Sequence, residues 1–115
     1  MFALETLAEI VARRAQADAQ DSYTRSLIEK GVARCAKKFG EEATEAVIAA
    51  VSEDEAALIA EAADVLYHLL VVLQARKAPL SAVMAELERR TAYLQRIDST
   101  ERWVRKSANT MTVAK

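Results

Sequence analysis

Apolar residues recur along this chain at helical spacing, and no stretch shows the alternation of a half-buried strand. Leu4, Leu7, Ala8, Val11 and Ala15 give one apolar face to a first helix predicted over Phe2–Asp18. Ala19 to Asp21 reads as a connection. Asp21, Ser22 and Thr24 are good N-cap residues for a short turn of helix that Gly31 can end. A second long helix starts near Val32, with Val32, Cys35, Ala36, Phe39, Ala43, Ala46, Val47 and Ala50 as its apolar stripe. Gly40 sits inside that pattern, where glycine costs roughly 1 kcal/mol relative to alanine. A close approach by another element or a ligand would account for it, and so would simple tolerance. Ser52-Glu53-Asp54-Glu55 matches a capping box, with Ser52 as N-cap and Glu55 as its partner. It opens a third long helix reaching about Lys77, where Arg76 and Lys77 suit the negative end of the dipole and Pro79 stops the helix. A fourth follows over Ser81–Ile97, with Val83, Met84, Leu87, Thr91 and Leu94 on one face. From Asp98 onward the pattern fades. Trp103 is a candidate for docking against a partner surface, and Ser107 to Lys115 reads as a loose tail. The predicted fold is all-α and bundle-like with four main helices, as one domain over residues 1–97 and a tail over 98–115.

Composition narrows the choice. A chain of 115 residues that is 52% hydrophobic suits one domain with a modest core. Apolar helix faces that so small a domain cannot cover alone point to a homodimer. The formal net charge of −1 supplies no basic field for a nucleic-acid backbone, so no nucleic-acid partner is expected. Cys35 is the only cysteine, which excludes an internal disulfide and a Cys-based zinc cluster and fits a reducing compartment. Met1 to Val11 carries Glu5 and Glu9 and no Lys or Arg, unlike a signal peptide. Ala56–Leu73 approaches membrane-spanning length, but two acids and a histidine near its middle argue for a buried helix. The expectation is a cytoplasmic protein with no membrane partner.

Those acids carry the chemistry. From Ala56 to Leu73 only Glu61, Asp64, Tyr67 and His68 are not aliphatic, and no Lys or Arg is present. A buried carboxylate needs compensation, and a bound cation is the simplest source. On the preceding helix, Glu42 and Glu45 are neighbours, as are Glu41 and Glu45, and they flank the apolar stripe. Arg34 and Lys38 share their side, so a solvated face laced with ion pairs is the plain alternative. For Glu61 and Asp64 the plain alternative is a hydrogen bond to Tyr67 or to a neighbouring backbone group. If the two edges face each other, four or five carboxylates converge. They would repel and retain protons unless one or two hard divalent ions such as Mg²⁺ joined them. Oxygen-lined sites of this kind serve phosphate chemistry. Lys37 and Lys38 are placed to reach the same phosphates. A di-iron bundle requires Glu-x-x-His on two helices; His68 is the sole histidine and Val65 stands three residues before it. There is no Ser–His–Asp signature, so His68 reads as a hydrogen-bonding or substrate-contacting residue.

Three stretches carry a resemblance: Ser22-Tyr23-Thr24 followed by Leu27, Lys37 to Glu45, and Glu61 to Leu70. Glu-Glu-x-x-Glu followed by Glu-x-x-Asp on the next helix resembles the all-α (MazG-like) nucleoside triphosphate pyrophosphohydrolases. Within that group the chain is similar to the phosphoribosyl-ATP pyrophosphatases of histidine biosynthesis, over roughly Leu4 to Arg90. The resemblance implies Mg²⁺-dependent hydrolysis between the α and β phosphates of phosphoribosyl-ATP, giving phosphoribosyl-AMP and pyrophosphate, in a cytoplasmic homodimer. It places the metal-ligand motif on Glu41, Glu42, Glu45, Glu61 and Asp64, one of which accepts a proton from the attacking water instead. It puts Lys37 or Lys38 on phosphate, and Ser22, Tyr23, Thr24 and His68 around the substrate pocket. A house-cleaning (d)NTP pyrophosphohydrolase and a non-catalytic helical interaction protein are the alternatives.

Overall fold

A computed structural model describes residues 1–97, with side chains as far as Ala92. Five helices follow one another: α1 (Leu4–Ala15), α2 (Tyr23–Glu29), α3 (Val32–Ser52), α4 (Glu55–Ala75) and α5 (Leu80–Ile97). Among the described residues there is no strand, as the all-α reading expects. The chain divides after Leu80 into two compact units, the first holding α1 to α4 and the second beginning at Ser81. Within the second unit, Glu86 is held to about 2 by hydrogen bonds from Arg89, with Arg90 adding to the effect. Trp103 and the tail over 98–115 lie outside the described residues.

The first unit is built around Val11, Leu27, Cys35, Leu70 and Val71, with Leu4, Leu7, Ala8, Ile28 and Tyr67 packed against them. They come from all four helices α1 to α4, so burying one apolar stripe per helix assembles the core. The Cys35 thiol donates to the Leu27 carbonyl at 3.3 Å, and burial pushes its pKa up.

Ser22 caps α2, accepting from the Arg25 N–H at 3.1 Å while its own hydroxyl donates to the Arg14 carbonyl at 2.8 Å. One side chain thus starts α2 and ties it to the end of α1. Gly31 follows Lys30 and is at once the end of α2 and the N-cap of α3, at φ +99°. That left-handed conformation strains any residue with a Cβ. Gly40 is different: a Cβ there would meet no protein atom within 4 Å, so no neighbouring element requires a glycine.

α3 and α4 are long helices joined by Glu53 and Asp54 alone, and they pack as an antiparallel hairpin. Its details correct three sequence expectations. First, the cap of α4 is Asp54, which accepts from the Ala57 N–H at 2.9 Å. Ser52 is still helical and its hydroxyl donates back to the Ile48 carbonyl at 2.9 Å. The capping box fails because α3 runs to Ser52 and leaves it no extended backbone. Second, the buried line of α3 is Cys35, Glu42 and Ala49, whereas Ala36, Val47 and Ala50 are exposed. Third, α4 is buried only in its C-terminal half, at His68, Leu70 and Val71. There α1 and α2 cover it. Nearer the hairpin turn only α3 does, leaving Ile59 60% and Val51 82% exposed. α4 is the one described helix long and apolar enough to cross a bilayer by length and composition.

α4 ends at Ala75. The Ala78 N–H returns to the Leu73 carbonyl at 2.9 Å and the Lys77 N–H to Gln74 at 3.1 Å, with Lys77 at φ +58°. This is a Schellman closure with lysine where glycine is usual.

The reassigned cap is testable by urea denaturation. Asp54→Ala lowers stability by about 1 kcal/mol, whereas Ser52→Ala leaves it within about 0.5 kcal/mol. The reverse ranking would restore Ser52 as the cap.

Candidate active site

The hairpin brings the two acid clusters together. One carboxylate oxygen from each of Glu42, Glu45 and Glu61 lies within 4.8 Å of the other two. Glu42 is buried at 7% exposure, Glu61 half-buried and Glu45 exposed, so the cluster spans the boundary between core and solvent. The sequence pattern placed Glu42 beside the apolar stripe; it lies on the buried line itself, because α4 packs across α3 at that face.

The electrostatics follow from this crowding. Burial raises the Glu61 pKa, and Glu45, Asp64 and Glu42 raise it further. Its Oε2 is buried and accepts nothing. Asp64 is exposed one turn on, near enough to act on Glu61. Glu41 sits apart from the trio. Lys38 lies 3.1 Å from Glu42 and 3.8 Å from Glu41, so one ammonium serves two acids. The hydrogen bond to Glu42 is the main cause that raises the Lys38 pKa. Glu45 and Glu61 receive no such cation among the described residues. An orphaned buried oxygen, converging carboxylates and a raised carboxyl pKa are what a hard divalent cation would relieve, and an all-oxygen donor set suits one.

The remaining predicted residues form two groups. Ser22 and Thr24 are buried, at 2% and 4% exposure. Their hydroxyls serve the fold, Ser22 as cap and Thr24 in a short hydrogen bond with the Tyr67 hydroxyl. His68 is buried, and its Nδ1 lies 2.8 Å from the Asp64 carbonyl. A carbonyl only accepts, so Nδ1 carries the proton and the buried Nε2, which has no partner, is left an acceptor. The His68 ring meets Tyr67 edge-on at 4.9 Å and Tyr23 at 6.2 Å. Tyr23, Lys37, Lys38 and Glu41 line an adjoining cleft together with Lys30 and Arg34. Sequence reading gave Lys30 no role and treated Arg34 as an ion-pairing residue. Part of the signal was present, since Arg34, Lys37 and Lys38 stand at helical spacing on α3.

An all-helical chain whose central hairpin gathers acids from Glu-Glu-x-x-Glu and Glu-x-x-Asp, flanked by a cationic cleft, is an all-α pyrophosphohydrolase in architecture. Comparison with known proteins narrows this. The sequence pattern described as phosphoribosyl-ATP pyrophosphohydrolase matches residues 4–91, and the chain belongs to that family. It is 59% identical over 88 residues to a protein of Azorhizobium caulinodans named phosphoribosyl-ATP pyrophosphatase, covering 76% of this chain and 81% of that one. It is 58% identical over 90 residues to a protein of the same name in Agrobacterium fabrum, covering 78% and 84%. It is 56% identical over 91 residues to phosphoribosyl-ATP pyrophosphatase 1 of Bradyrhizobium diazoefficiens, covering 79% and 86%.

The crowded carboxyls give a pH signature. Folding raises the Glu61 pKa above its ordinary 4.5, so above that pH the native state binds more protons than the unfolded chain. Stability of the cation-free protein therefore falls as pH rises from 4.5 through the raised value. Denaturation in chelator across this range should show a shallower fall for Glu61→Gln than for the parent. Equal slopes would show that Glu61 is not under strain from its neighbours.

Proposed function

We propose that this chain is a Mg²⁺-dependent phosphoribosyl-ATP pyrophosphohydrolase of histidine biosynthesis, acting as a cytoplasmic homodimer. The observation that carries the reading is the meeting of Glu42, Glu45 and Glu61 within 4.8 Å in a chain so similar to proteins of that name. Glu41, Glu42, Glu45, Glu61 and Asp64 form the ligand set. When bound, Mg²⁺ would neutralise charge on the phosphate oxygens. The side chains do the rest. Lys38, held by Glu42, presents its ammonium beside the cluster, and Lys37 adds a second cation. Water adds across the anhydride between the α and β phosphates, one P–O bond breaks, and pyrophosphate leaves with the electron pair. One carboxylate of the set takes the proton of the water. Tyr23 walls the substrate pocket, and His68 stands behind it, edge-on to the Tyr23 ring. Ser22 and Thr24 hold α2 and Tyr23 in place.

The dimer follows from what one chain leaves uncovered. Val47, Ile48 and Val51 on α3 and Leu58, Ile59 and Leu66 on α4 are all exposed. A patch of this kind marks an association surface, and a second copy of the same hairpin matches it by two-fold symmetry.

Pyrophosphate release from phosphoribosyl-ATP, measured with and without Mg²⁺ beside a panel of (d)NTPs, tests the assignment. Strong preference for phosphoribosyl-ATP is expected, and a preference for a (d)NTP would favour the house-cleaning alternative. Glu42→Gln or Asp64→Asn should lower kcat by about a hundredfold or more with the circular dichroism spectrum unchanged. Full activity in both variants would refute the site. Light scattering should give twice the 12.7 kDa chain mass, and Val51→Glu with Ile59→Glu should halve it. A parent protein that already scatters as a single chain would remove the dimer.

A further inference from the structure

Among the described residues no carboxylate pairs with Lys30, Arg34 or Lys37. With Tyr23, Lys38 and Glu41 they line a cleft of about 140 Å³. They gather where α3 begins, and the dipole and free N–H groups of a helix start already make that end positive. No acid stands in the first turn of α3 to offset this. An empty cleft of this kind is self-repelling, and an anion relieves it. A cavity of this order holds a group the size of benzene, so a phosphate monoester fits.

The cleft differs from the acid cluster in kind. The cluster repels phosphate unless a cation stands between them, whereas the cleft attracts phosphate directly. Lys38 lines the cleft and also pairs with Glu42 of the cluster, so the two adjoin. Along α3, Arg34 and Glu42 are roughly 12 Å apart at 1.5 Å per residue. A substrate with phosphates at both ends could therefore span them. Phosphoribosyl-ATP is such a molecule. Its triphosphate is on one side of the adenine, and on the other is the 5-phosphate of the ribose joined to N1. ATP lacks this second phosphate.

We infer that the cleft of Lys30, Arg34 and Lys37 binds the 5-phosphate of the phosphoribosyl arm and so selects phosphoribosyl-ATP over ATP. This rests on the function proposed above. The planar fork of Arg34 suits bidentate contact with a phosphate, and Lys30 and Lys37 act as point charges beside it. Lys38 is occupied by Glu42 and stays with the acid cluster.

The test compares two ligands in Arg34→Gln and in Lys30→Gln. Both residues are exposed, and melting temperatures check that the variants fold. KM for phosphoribosyl-ATP should rise about tenfold or more per charge removed, with kcat little changed. Inhibition of the same reaction by ATP should be unchanged, and Arg34→Lys should recover part of the loss. Equal weakening for phosphoribosyl-ATP and ATP would place the triphosphate in the cleft and overturn the inference, as would unchanged KM. If the parent does not turn over phosphoribosyl-ATP, the proposed function fails separately. Direct titration with ribose 5-phosphate then decides the cleft: binding lost in Arg34→Gln upholds a phosphate monoester site, and no binding to the parent removes it.

Discussion

Like charges held close together are the constraint around which the first unit is organised. Glu42, Glu45 and Glu61 stand on facing helices, with Asp64 one turn away. Left to themselves they would drive α3 and α4 apart. The hairpin resists because it is anchored elsewhere: Cys35 and Ala49 bury on α3, and Leu70 and Val71 on α4. Asp54 sets the start of α4, and the closure at Lys77 and Ala78 fixes its end. Lys38 meets part of the repulsion at Glu42 and Glu41 but does not reach Glu61. The remainder is what a divalent cation would relieve.

Much of this was legible in the sequence. The apolar pattern and its caps located the four long helices, and cap residues alone located the short α2, whose boundaries Ser22 and Gly31 mark in the structure as the residue types suggest. The polar edge of α4 stands out because its background is wholly aliphatic. What periodicity could not tell was which side of α3 faces its neighbours. The helix carries apolar residues on two faces, one turned to α4 and one to solvent. The stripe read from spacing alone mixed Cys35 with Val47 and left out Glu42. The capping box at Ser52 was a local match overruled by continuation of the helix, and Asp54 takes the role one turn's fraction later. Lys30 went unread because it lies on the far side of a glycine, where helical spacing stops.

That glycine carries a consequence for ligand affinity. Gly31 joins α2 to α3 with no intervening loop, its N–H donating to the Ile28 carbonyl at 3.0 Å and its carbonyl accepting from the Cys35 N–H at 3.2 Å, so the joint is tied on both sides. Tyr23 and Lys30 on one side, Arg34 and Lys37 on the other, keep their relative positions before any ligand arrives. Little backbone entropy is lost when the cleft fills, and selectivity comes at a low ordering cost. A longer, flexible joint would present the same charges to the same anion and hold it more weakly.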